Sequence, residues 1–116
     1  MSASKSIVFL ITNSGMGNTD HQDLRERLAG TFLSLLAQTD NLPAAICFYT
    51  EGVRLACEGS PVLAQLHHLE QLGGRLILCQ TCLNTLQLVD KVRIGIIGGM
   101  GDILTAMMEA DSVITI

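Results

Sequence analysis

Short unbroken apolar runs alternate along this chain with stretches of helical spacing. Ile7–Thr12, Ala44–Tyr49, Arg75–Leu78, Val92–Ile97 and Ser112–Ile116 predict strands. Runs this short, without polar residues at alternate positions, suit strands covered on both faces. Between them, Leu24, Leu28, Phe32, Leu35 and Leu36 fall on one helical face, with Arg25, Glu26 and Arg27 mostly off it and solvated. Val62, Leu63, Leu66, Leu69 and Leu72 make a second helix, and Ile103, Leu104, Met107 and Met108 a short later one. Val53–Cys57 fits neither period.

The punctuation agrees with these elements. Thr19 and Gln22 have the spacing of a capping box. Ser60-Pro61 predicts an N-cap followed by proline in the first turn, and Gly73-Gly74 a left-handed helix end. Asp102 predicts an N-cap after the turn Gly98–Gly101, and Gly95 interrupts its strand. Strand and helix alternate throughout, which predicts a parallel sheet with helices on both faces. In such a sheet the loops Asn13–Asn18, Thr50–Gly52, Cys79–Cys82 and Gly98–Gly101 share the carboxyl edge, where ligand and catalytic groups gather.

A length of 116 residues bounds the chain to one domain, 1–116, able to fold without disulfides or metal. A mean hydropathy of +0.42 is high for a small soluble monomer and points to apolar surface buried in a homo-oligomer. A net charge of −4 and the lack of any basic run argue against nucleic acid as a partner. No stretch is long enough for a membrane span, and Ile7–Ile11 reads as a strand rather than a signal segment. The expected location is cytoplasmic, with the four cysteines mostly reduced.

Cys79 and Cys82 carry the candidate chemistry. Cys79 is expected where a strand ends and Cys82 in the first turn of the helix after it, a setting that favours thiolate over thiol. A thiolate there can take the terminal sulfur of a persulfide donor and hand it on, with no cofactor. Cys79 is the candidate carrier. Cys82 is its resolving partner, able to release the sulfur by forming a disulfide with it. Dithiol redox is the second chemistry, although Gln80-Thr81 late in the chain suits it poorly. A zinc site needs four ligands, and Cys47, Cys57, His67 and His68 do not pair at ligand spacing with Cys79 and Cys82. The glycine-rich Gly95–Gly101 lacks the order of a dinucleotide fingerprint and the Lys-Ser/Thr of a phosphate loop. Two turns contain Gly-Met-Gly. A ligand at the carboxyl edge would meet Gly15, Met16, Gly17, Thr81 and Met100.

Several segments resemble one known family. They are Gly15-Met16-Gly17 with the acidic helix start and Leu24, Phe48–Leu55, Glu58-Gly59-Ser60, Leu78–Leu83, Met100–Ile103 and Ala110–Thr115. Together they resemble the DsrE/DsrF-like proteins over nearly the whole chain, most closely the carboxyl-terminal domain of YedF-type selenium-metabolism proteins. The resemblance implies a three-layer α/β/α sandwich around a mainly parallel five-stranded sheet. It also implies homo- or hetero-oligomers, commonly trimers or hexamers, and a persulfide-carrying cysteine at the position of Cys79. YedF-type chains begin with a TusA-like domain absent here, so such a sulfur carrier would be a separate partner. Asn84, Thr85 and Leu86 stand where sulfur-oxidation branches have arginine and glycine. That leaves open a non-enzymatic binding module or subunit using the carboxyl-edge pocket.

Overall fold

The computed structural model describes residues 5–116. Strand β1 is Ile7–Ile11, β2 Ala45–Phe48, β3 Leu76–Cys79, β4 Ile96–Gly98 and β5 Ser112–Thr115. They pair side by side in the order β4-β3-β2-β1-β5, every pair parallel. Helix α1 spans Gln22–Leu36, α2 Leu63–Gln71, α3 Gln80–Thr85 and α4 Met100–Glu109. The α/β sandwich and its five-stranded sheet are as the sequence predicts.

The three central strands, β1, β2 and β3, alternate their side chains between two cores. Phe9, Ile11, Ile46, Phe48, Leu76 and Leu78 pack on the side of α1 and α2. Val8, Leu10, Ala45, Cys47, Ile77 and Cys79 pack on the other side, against Ile103 and Ala106 of α4. Crossovers between parallel strands are right-handed. The steps β1 to β2 to β3 to β4 all run one way across the sheet, so α1, α2 and α3 share a face. Only the return from β4 to β5 runs the other way, and α4 alone covers the second face.

Helix α1 turns further than its leucines suggest. Ala29, Leu33 and Leu36 are buried and Phe32 is partly so, its ring meeting that of Phe9 edge-on at 5.4 Å. Leu24, Leu28 and Leu35 stay exposed. Arg25 is not fully solvated: it backs onto Gly15, receives the Met16 N–H on its carbonyl, and has its Nε buried without a hydrogen-bond partner. The Thr19–Gln22 capping box does not form. His21 is the N-cap, and the Gln22 amide donates instead to the Ser14 carbonyl at 2.9 Å, tying the β1 loop to the helix.

Other boundaries shift for local reasons. Thr50–Ala56, which joins the predicted turn Thr50–Gly52 to most of the ambiguous stretch Val53–Cys57, forms a 3-10 helix. Helix α2 starts after Val62, whose N–H reaches the Ser60 hydroxyl at 3.2 Å. Gly73, at φ +103, ends that helix, and Gly74 N–H bonds back to the Leu69 carbonyl, as the Gly-Gly pair predicts. Strand β4 is shorter than Val92–Ile97. Gly95 turns at φ +85 against Leu76 and Leu78, and the strand begins only after it. Asp102 is not the N-cap of α4. Gly99 is, and the Asp102 carboxylate accepts its N–H from within the first turn at 2.8 Å.

Gly52 sits where the 3-10 helix crosses the end of β1, and a Cβ there would lie 1.9 Å from the Ile11 carbonyl oxygen. Gly101, in the first turn of α4, has open space around it. Gly52→Ala is therefore expected to cost more than about 2 kcal/mol of folding stability. Gly101→Ala should add about 0.5–1 kcal/mol by restraining the unfolded chain and improving helix propensity. Urea unfolding of the two variants beside the parent measures both.

Candidate functional site

The parallel sheet gathers the four predicted loops at one edge. Within that edge, β3 and β4 differ from the other neighbouring strands. The loop after β3 leaves toward the α1–α2 face, where Leu83 of α3 packs. The loop after β4 leaves toward the opposite face, into α4. Adjacent strands whose loops part in this way open a crevice at their carboxyl ends. Cys79 is the β3 residue at this switch in direction, paired in register with Gly98. Gly98 and Gly99 bring no side chain into this place.

Cys79 is the last residue of β3 and points into the α4-side core, 2 % exposed. Cys82, one turn on in α3, is half-buried and touches both cores, so it stands between the layers at the end of the sheet. The two side chains are neighbours: Cys82 packs against the cluster that holds Cys79, and Cys79 helps to raise the Cys82 pKa. A third group joins them from the loop after β2. The backbone N–H of Thr50 donates to Cys82 Sγ at 3.0 Å. Thr50 takes the left-handed conformation to do so, at φ 49, an unusual and strained choice for a β-branched residue. Its hydroxyl donates to the Thr12 carbonyl at 2.6 Å, fixing the loop to the end of β1. Three successive strand ends thus converge on one sulfur.

The electrostatics differ from the expected thiolate setting. Burial pushes the Cys82 thiol above its ordinary range, and the neighbouring Cys79 side chain adds to this. The Thr50 N–H pulls the other way, while Cys79 and Glu51 raise it further. Helix α3 is only six residues long, too short to contribute much of a dipole. The sulfur is therefore held by a neighbouring loop rather than activated by its own helix. Cys47, wholly buried in β2, is pushed up to about 11 by burial, which Arg75 only partly offsets. Cys57 is buried too, and its thiol donates to the Val53 carbonyl at 3.2 Å.

Of the other predicted ligand positions, those of the first Gly-Met-Gly turn belong to the β1 loop and those of Thr81 and Met100 flank the pair along the chain and the sheet. Met16 packs against the α1–α2 core and Gly15 against Arg25, which fastens the first Gly-Met-Gly turn to α1. Gly17 is exposed at φ +88. Thr81 is exposed on α3, between the cysteines. Met100 is exposed at the start of α4, two residues beyond the register partner of Cys79. A groove of about 570 Å³ runs elsewhere, lined by Asp23, Arg27, Thr31 and Gln65. It is an open surface feature between α1 and the start of α2. Among the described residues no three His, Cys, Asp or Glu side chains gather as a metal site, and no helix is long and apolar enough to cross a membrane. Sequence reasoning marked Thr50 only as part of a turn. Its role rests on a backbone amide, which residue type does not reveal.

Comparison with known proteins places this geometry. The DsrE/DsrF-like family matches residues 5–116. The chain belongs to the DsrE/DsrF-like family. Among solved structures, it is similar to the ychN protein of E. coli, with 19 % identity, a TM-score of 0.71, and coverage of 97 % of this chain and 99 % of that one. It is also similar to MTH1491, a protein of unknown function from Methanobacterium thermoautotrophicum, at 20 % identity and TM-score 0.69, covering 97 % and 100 %. A third is BT1422 of Bacteroides thetaiotaomicron, also of unknown function, at 14 % identity and TM-score 0.63, covering 96 % and 95 %. At these identities the structures establish a shared DsrE-like fold. No curated protein matches the chain.

The contrast between the thiols sets an order of reactivity. In the native protein iodoacetamide should modify Cys82 first and Cys47 last, with all four modified after unfolding. Because the Cys82 pKa is raised, its modification at neutral pH should be slower than that of free cysteine. It should accelerate as pH rises through and beyond 9 (sulfur becomes thiolate only as the raised pKa is approached). Peptide mapping by mass spectrometry across that range checks the order and the sign.

Proposed function

We propose that this protein is a small cytoplasmic sulfur or selenium relay that carries persulfide on the Cys79–Cys82 pair, with Cys79 as the resting carrier. The observation that carries this reading is the pair itself. Two neighbouring free thiols lie at the carboxyl edge of the sheet, and a strained loop directs an N–H to one of them. Membership of a family known for sulfur relay supports it. So does the economy of the chemistry, which asks only for a thiol that can attack a sulfane sulfur and release it again. Within the family we place the chain nearest the carboxyl-terminal domain of YedF-type proteins. A TusA-like sulfur carrier is the matching partner.

We further propose that the working form is a homo-oligomer, a trimer or hexamer. Ile96 and Ile97 of β4, Met100, Leu104 and Met108 of α4, and Val113 and Ile114 of β5 are large, apolar and exposed. They belong to the two edge strands and to the helix that alone covers the second face. A soluble protein rarely leaves so much apolar surface bare. Leu104→Glu with Met108→Glu should therefore yield a smaller particle than the parent in sedimentation velocity. An unchanged sedimentation coefficient would remove this face from the assembly.

The depth of Cys79 and the raised Cys82 pKa favour a second reading, a non-enzymatic binding module at the same edge. Exposure of the folded protein to glutathione persulfide, followed by intact mass, separates the two. The relay predicts a stable gain of one sulfur atom that is lost in Cys79→Ser and kept in Cys47→Ser. The binding module predicts no gain in any form.

A further inference from the structure

We infer that Cys82 is the thiol that meets the donor, that Thr50 positions and steadies its sulfur, and that Cys79 receives the sulfur from it in a second, internal step. This division of labour rests on the relay reading and goes beyond it, because it assigns the first encounter to the cysteine that is not the resting carrier.

Access is the first reason. Cys79 is 2 % exposed beneath α4, whereas Cys82 is half-buried at the open end of the sheet. A donor sulfur has to come into line with the attacking sulfur, and only Cys82 offers that approach without the core opening. The donor geometry is the second. The Thr50 N–H at 3.0 Å is aimed at Cys82 Sγ, and holding it there costs a left-handed β-branched residue. An N–H donor favours the charged sulfur as attacking group and again as leaving group. The third is continuity. Cys82 lies one turn along α3 from Cys79 and packs against the same cluster, so the second step needs no diffusion.

The two steps balance without an oxidant or reductant. The Cys82 thiolate attacks the outer sulfur of a donor persulfide, R–S–SH. A Cys82–sulfur bond forms, the donor S–S bond breaks, and R–S⁻ leaves with the electron pair and takes up the proton that Cys82 gave. The Cys79 thiolate then attacks that same outer sulfur. The bond to Cys82 breaks, Cys82 leaves as thiolate under the Thr50 N–H, and it takes the proton lost by Cys79. One sulfane sulfur moves twice and no net redox change occurs. The end state is a persulfide at a position screened from water.

The thiol pair and the amide bond have a purely structural alternative, in which Cys82 simply satisfies the Thr50 N–H. Rapid-quench intact mass with glutathione persulfide distinguishes them. Cys82→Ser should load at about a tenth of the parental rate or less, although Cys79 is intact. Cys79→Ser should take up one sulfur on Cys82 at the parental rate, then lose it to excess glutathione. Thr50→Ala, which frees the loop from the Thr12 carbonyl, should slow loading severalfold and move the rate–pH profile upward, because the N–H that lowers the Cys82 pKa is no longer held in place. Thr50→Ser should restore both. A parental loading rate in Cys82→Ser overturns the order of steps while leaving the relay standing. A rate–pH profile unmoved in Thr50→Ala overturns the role given to Thr50. Loss of two hydrogens with release of hydrosulfide, in place of a stable gain of sulfur, overturns the internal transfer. Failure of the parent to gain any sulfur overturns the relay itself and this proposal with it.

Discussion

The handedness of strand crossovers governs most of what is distinctive in this molecule. Three crossovers proceed in one direction and stack their helices on one face, and a single return leaves α4 to cover the other. From that asymmetry follow both the crevice between the ends of β3 and β4 and the apolar surface around α4. The cysteine pair lies at the first, and the second is where another chain has most to gain by docking. No local propensity could produce either. Both are consequences of how parallel strands must be joined.

Within this frame the site is assembled from backbone more than from side chains. The pair Cys79 and Cys82 supplies the sulfur, but its surroundings come from a Thr50 amide, a Thr12 carbonyl and two glycines beside the strand end. The close approach of Gly52 to the Ile11 carbonyl locks the loop that carries Thr50 onto β1. Burial raises the Cys82 pKa, and the amide only moderates it. A thiol so poised is quiet in bulk water, which is compatible with the proposed relay, where it would react with one donor and ignore abundant small reagents.

The strands, the alternation with helices and the cysteines at a strand end were all legible in the residues. Continuous apolar runs admit little else once the chain is long enough for a sheet covered on both faces. The misreadings came from competition that the period alone does not resolve. On α1 the leucines at 24, 28 and 35 outweigh Ala29 in any hydropathy count, yet the close packing of helix on sheet chose the smaller residue. Gln22 and Asp102 both found backbone partners, but at places set by neighbouring loops. The Thr50 contribution was invisible because an amide belongs to every residue but proline, and only tertiary structure decides where it points.

A single helix roofing Cys79 has a consequence for regulation. The same α4 that shields the sulfur with Ile103 and Ala106 on its inner side presents Leu104 and Met108 on its outer side. Whatever seats itself on the outer side also changes how often the helix lifts from the sheet. If the proposed oligomer forms through this helix, mass action makes the concentration of the chain a variable in the chemistry of a thiol that the added subunit never touches.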